Sequence, residues 1–89
     1  MTEEQELAVA ENGSRASDGW AALMAYTGCK TKLTERLEGC GADELQDWLT
    51  DLLSDLRHMA RERSLDFEES ARSSAVHFEA EVAEAGGAQ

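Results

Sequence analysis

Between Leu45 and Ala60 the apolar residues Leu45, Trp48, Leu49, Leu52, Leu53, Leu56, Met59 and Ala60 recur at i, i+3, i+4 and i+7. A strand alternates at every second residue and cannot produce that spacing. A helix places all of these side chains on one side, as a core-facing stripe. Asp43, followed three residues later by Gln46, supplies a capping-box-like start. Arg61 and Arg63 lie where cations suit the negative end of a helix dipole. A helix is predicted over 43–62. Asp66 with Glu69 repeats the starting signal, and Phe67, Ala71, Ala75, Phe78 and Val82 form one face of a further helix over about 67–84.

The rest of the chain reads as helix with less force. There is no proline in the 89 residues, no sustained alternation, and glycine falls between segments or near their ends. Ser17 or Asp18 can cap a helix near 18–27, on which Trp20, Leu23, Met24 and Thr27 share a face. Gly28 then breaks the phase. Cys29, Leu33, Leu37 and Cys40 define a new stripe on a helix near 30–38, and the glycines of Gly39–Gly41 stop it. Thr2 with Gln5 resembles a capping box, but residues 1–16 are weakly patterned and read as a flexible acidic arm or a short peripheral helix. Residues 86–89 read as a disordered tail. The fold class is all-α: a small helical bundle in one domain, 17–85, with a C-terminal antiparallel helical hairpin and shorter helices before it.

Charge limits the function classes. The chain carries 19 acids and 8 bases, for a net charge of −11. Residues 1–18 hold five acids and one base, residues 42–89 twelve acids and four bases, and residues 19–41 two acids and three bases. Such a surface is repelled by nucleic acid and by anionic membranes, and attracted to basic protein surfaces. Direct nucleic-acid binding is disfavoured, since only the segment around Lys30, Lys32 and Arg36 is basic. No apolar run approaches the ~20 residues that span a bilayer. The acidic N-terminus lacks the basic residues of a targeting peptide. A cytoplasmic protein is expected, with Cys29 and Cys40 reduced and buried as small hydrophobes.

Glu44, Asp47, Asp51, Asp55 and Glu62 point to the side opposite the leucines of helix 43–62. Successive members lie about 5–6 Å apart along the axis where the step is three or four residues. Like charges at that spacing cost a helix a few tenths of a kcal/mol each. A solvated polar face is the bland reading of this row, and a docking ridge for a cationic partner is the functional one. Asp55-x-x-His58 also has the spacing of helical di-metal ligands, and His77 with Glu81 is spaced i, i+4. The first pair points away from the leucines, however, and His77 borders an apolar face. No cofactor or metal site is therefore assigned. Nucleophile elbows, Cys/His signatures and phosphate-cradling loops are missing from the sequence, and so small a domain has little room for a pocket. No catalytic residue is assigned either.

Residues 48–81 resemble small acidic proteins of bacteriophages and other mobile elements, which share a DLLxDLxH run, then LDF, then HF or HY. The matching residues are Asp51, Leu52, Leu53, Asp55, Leu56, His58, Leu65, Asp66, Phe67, His77 and Phe78. The resemblance implies a non-enzymatic accessory protein. By analogy with acidic phage proteins that mimic DNA, it implies an anti-CRISPR or anti-restriction inhibitor. The expected partner-binding residues are Asp43, Glu44, Asp47, Asp51, Asp55 and Glu62, with Glu68, Glu69 and Glu79. The partner would be a basic groove on a host nucleic-acid-binding defence complex. A structural or assembly module, homodimeric through Trp20, Met24 or Val76, is the alternative. A carboxylate/His metal protein is the third reading.

Overall fold

The computed structural model describes residues 1–31 and 39–87. These fold as three helices with no strand: α1 (Glu3–Thr31), α2 (Ala42–Glu62) and α3 (Phe67–Glu84). The all-α class follows the sequence, and α2 and α3 start and stop within a residue of their expected bounds. The N-terminal region departs from expectation. A flexible arm and a helix beginning near residue 18 are replaced by one 29-residue helix. Thr2 and Gln5 do form the capping box: Thr2 N donates to Gln5 Oε1 at 2.9 Å, and Gln5 N donates to Thr2 Oγ1 at 3.1 Å. Glu3, Glu4 and Glu6 then suit the positive end of the helix dipole. Gly28 does not end the helix. A glycine in a helix interior costs about 1 kcal/mol relative to alanine, which contacts elsewhere along so long a helix offset. Most of the predicted 30–38 helix, with Leu33 and Leu37, lies outside the described residues.

Two compact units divide the chain, and α1 runs through both. The first comprises residues 1–18 and 66–89. In it the N-terminal half of α1 packs along α3, with Ala8, Asn12 and Ala85 buried. Asn12 Nδ2 donates to the carbonyl of Glu81 at 3.0 Å, and Arg15 Nε lies 2.7 Å from Glu81 Oε2. Asp66 caps α3 as expected, accepting from Glu69 N at 3.0 Å. Of the tail expected at 86–89, Gly86 and Gly87 close the end of α3, and residues 88–89 lie outside the described residues. Gly87 N donates to Val82 O and Gly86 N to Ala83 O, a Schellman closure. Gly86 and Gly87 have φ of 72° and 83°, and a Cβ on Gly86 would lie 2.9 Å from Gln5 Nε2. Phe78, expected on the apolar face of α3, is 58% exposed, and α3 has no buried residue.

The second unit comprises residues 19–65. Here the C-terminal half of α1 packs against α2. Leu23, Thr27 and Ala60 are buried, while Trp20, Tyr26, Leu45, Trp48 and Leu52 are half-buried. The rings of Tyr26 and Trp48 meet edge to face, with centroids 6.3 Å apart, a geometry that suits their quadrupoles. α2 is capped by Gly41 without a side-chain bond, so Asp43 lies in the first turn instead of serving as the cap. Its far end closes as a Schellman motif, with Leu65 N donating to Ala60 O at 2.8 Å and Ser64 N to Arg61 O. Ser64 takes the left-handed position, φ 58°, which costs an L-residue roughly 1–2 kcal/mol. The stripe of α2 is only partly covered: Leu49, Leu53, Leu56 and Met59 remain 36–44% exposed. Cys29, expected to be buried, is exposed, and Cys40 is half-buried; no disulfide joins them.

Candidate functional site

The expected partner-binding residues separate into three groups. Asp43, Glu44, Asp47, Asp51 and Glu62 are exposed on α2, and no ion pair among the described residues engages them. Glu44, Asp47 and Asp51 sit at steps of three and four, which puts neighbouring carboxylates on adjacent turns of one face. Glu68, Glu69 and Glu79 are exposed on α3, in the other unit. Glu69 is held by Arg72 and Ser73 on its own helix.

Asp55 forms the third group. It was expected on the outward ridge; instead it is half-buried and faces α1. Tyr26 donates its hydroxyl to Asp55 Oδ2 at 2.7 Å, and Lys30 Nζ stands 3.2 Å from the same oxygen. Lys30 Nζ also lies 6.0 Å from the centre of the Tyr26 ring, within reach of a cation–π attraction. The Tyr26 bond, then the Lys30 bond, hold the Asp55 carboxyl below its ordinary 3.8. Burial, then the bond to Asp55, push the Tyr26 hydroxyl from 10.0 up to about 12. A carboxylate on α2, a hydroxyl and an ammonium on α1 therefore tie the two helices of this unit together. Helical periodicity alone names no partner for Tyr26. A half-buried phenol needs an acceptor, and that requirement was the available signal.

The Tyr26–Asp55 pair carries a pH dependence whose sign is set at each end. Asp55 has a depressed folded pKa, so its contribution is present above 3.8 and is lost as pH falls through the folded value. Tyr26 has a raised folded pKa, so its contribution is complete below 10 and is lost as pH rises towards 12. Tyr26→Phe should therefore flatten the fall in urea midpoint above pH 10, and Asp55→Asn the fall on the acid side. Midpoint curves for Tyr26→Phe and wild type that stay parallel from pH 9 to 12 would contradict the assignment.

The metal-like spacings do not converge. The Asp55 carboxylate is already engaged by Tyr26 and Lys30, and His58 is exposed. Among the described residues, no three His, Cys, Asp or Glu side chains are grouped to hold an ion. The first unit has more concavity than a chain of this length suggested. One cleft of about 450 Å³ is lined by Thr2, Glu4, Gln5, Leu7, Ala8, Glu11 and Glu84. Another of about 210 Å³ lies beside Asn12, Arg15, Phe78 and Val82. No nucleophile–base pair lines either one. No described helix is long and apolar enough to cross a membrane. Compared with protein-family models, curated proteins and solved structures, the chain has no significant match in any of the three.

Proposed function

We propose that this chain is a non-enzymatic inhibitor of phage or mobile-element type, anti-CRISPR-like, that places the acidic face of α2 in a basic nucleic-acid-binding groove of a host defence complex. The observation that carries this reading is the set Glu44, Asp47, Asp51 and Glu62. All four are exposed on one helix, and no cation among the described residues neutralises them in an ion pair. A helix that needed only solubility would gain a few tenths of a kcal/mol from each lysine interspersed at i+4. This face forgoes that gain. Asp43 extends the row towards the start of α2. Asp55 is withdrawn from it by Tyr26 and Lys30, so the ridge is one carboxylate shorter than the sequence implies.

The mechanism is competition. Carboxylates take the place of phosphates beside Lys and Arg, the groove's counterions are displaced once, and nucleic acid finds the groove filled. Such an interface weakens steeply with salt, as phosphate contacts do. The test is a pull-down from bacterial lysate at low and high salt, with duplex DNA as competitor. The wild-type chain should retain a nucleic-acid-binding protein that DNA displaces. The quadruple variant Glu44→Gln, Asp47→Asn, Asp51→Asn, Glu62→Gln should lose it by at least tenfold, about 1.4 kcal/mol. Equal retention by the two chains would end the proposal.

A further inference from the structure

The side of α2 that turns away from the acidic ridge is apolar and largely bare. Leu49, Leu53 and Leu56 are 42%, 44% and 36% exposed, and Leu52 between them is half-buried. With Met59, 41% exposed, these side chains form an apolar patch, and such a patch on a small protein commonly marks an interaction site.

We propose that a second copy of this chain covers this face, with the two α2 helices antiparallel about a two-fold axis between Leu52 and Leu53. Two observations select this occupant. The first is the spacing. Positions 49, 52, 53 and 56 are separated by three, one and three residues, so the stripe reads the same in both directions along the helix. An isologous two-fold contact demands a self-complementary patch. In this register Leu49 faces Leu56 of the second copy, and Leu52 faces its Leu53.

The second observation is where the charge lies. At 100° per residue, Glu44, Asp47, Asp51 and Glu62 stand more than about 120° around the helix from the centre of the leucine face. Two chains of net charge −11 can thus meet without burying a carboxylate from the ridge. The flank of the leucine face not bordered by Trp48 carries Gln46, Thr50 and Arg57, none of them acidic. A basic partner has no such match here: the face offers it no carboxylates, and the ridge lies on the other side of α2.

The association should be weak. One pair of 21-residue helices buries less than the ~800 Å² per partner of a standard interface, which puts the dissociation constant on the order of micromolar. It should also strengthen with salt, because screening reduces the repulsion between two acidic chains. Binding of the acidic ridge to a basic groove has the opposite salt dependence, so failure of one proposal does not entail failure of the other.

Sedimentation equilibrium of the full chain across the micromolar range, at low and high salt, tests the pairing. A monomer–dimer equilibrium that tightens with salt is expected. The double variant Leu49→Glu, Leu53→Glu should weaken the dimer at least tenfold, because a charge would be desolvated at the contact, while helicity by circular dichroism stays unchanged. The ridge quadruple variant should dimerise at least as well as wild type. A chain that stays monomeric throughout overturns the proposal, as does a dimer that survives the double variant. Spin labels provide a check that introduces no charge into the face. In a Cys29→Ser, Cys40→Ser background, labels at Thr50→Cys should lie close across the axis. Labels at Asp43→Cys should be offset by roughly 28 Å along it, at 1.5 Å per residue. Equal short distances at the two positions would mean parallel pairing and would overturn the register.

Discussion

Replacing Leu23 by alanine should lower the stability of the chain by about 2–3 kcal/mol, read as a fall in urea midpoint at constant m. Leu23 is 9% exposed, and it is the one large aliphatic side chain among the buried residues described; the others are Ala8, Ala60, Ala85, Asn12 and Thr27. Truncating a buried leucine costs about 2–5 kcal/mol, depending on how far the site can collapse. The half-buried Trp20, Tyr26 and Trp48 of the same unit have solvent on one side and can relax towards the gap, which favours the lower part of that range. A domain of this length has only about 4–13 kcal/mol in total, so the loss is a large share. Leu53→Ala is the matched control. Leu53 is 44% exposed in the same unit, and its truncation should cost under about 1 kcal/mol in the dilute monomer. A reversed order for the two leucines would mean that α1 and α2 pack on another face.

The contrast between those two leucines shows where the sequence stopped being informative. Periodicity establishes that Leu45 to Ala60 share one side of a helix, and it located α2 and α3 almost to the residue. Periodicity does not say how wide a band the neighbouring helix covers. α1 covers the edge that includes Trp48 and Leu52 and leaves Leu49, Leu53 and Leu56 bare. The same edge explains Asp55. At 100° per residue it lies about 20° from Trp48, so whatever touches the tryptophan also touches the carboxylate. Grouping Asp55 with the outward acids ignored that neighbour. Asp47 and Asp51, further round, stay exposed as expected.

The long α1 was illegible for a different reason. Its apolar pattern is weak, Gly28 reads as a break in phase, and Gly13 and Gly19 lie near the expected segment ends. A Cβ at any of the three would meet nothing within 4 Å, so these glycines are neither turns nor close-packing sites. The bonds that fix the N-terminal half of α1 reach Glu81, which lies 69 positions from Asn12. No local window of sequence contains both partners. A segment whose own propensity looks marginal can therefore be helical throughout, because tertiary packing outweighs propensity.

Asn12 is the point at which that long-range pairing can be broken by a single atom. It is 9% exposed. Its Nδ2 donates to the Glu81 carbonyl at 3.0 Å, and its Oδ1 accepts from Arg15 Nη1 at 2.7 Å. Asn12→Leu keeps the branched outline, with bulkier methyl ends, and removes both bonds. The Glu81 carbonyl still accepts from Ala85 N, so it is not orphaned, and a loss of about 1–2 kcal/mol is expected. Asn12→Asp is nearly isosteric and should be worse near neutral pH, at about 2–3 kcal/mol. It sets an acceptor against the Glu81 carbonyl and adds a negative charge beside Glu81. Protonation would restore the missing donor, and Arg15, which lies against the other oxygen, is already shared with Glu11 and Glu81, so the introduced carboxyl should have a raised folded pKa. A group raised in this way stabilises below its unfolded value and loses that contribution as pH rises through the folded one. The Asn12→Asp chain should therefore gain on Asn12→Leu as pH falls through the carboxylate range, even while both lose stability to general acid effects. Urea midpoints of the two variants measured side by side would decide it. A constant difference between them across that range would mean that Arg15 neutralises the new carboxylate fully or that the Asn12 amide does not face the Glu81 carbonyl.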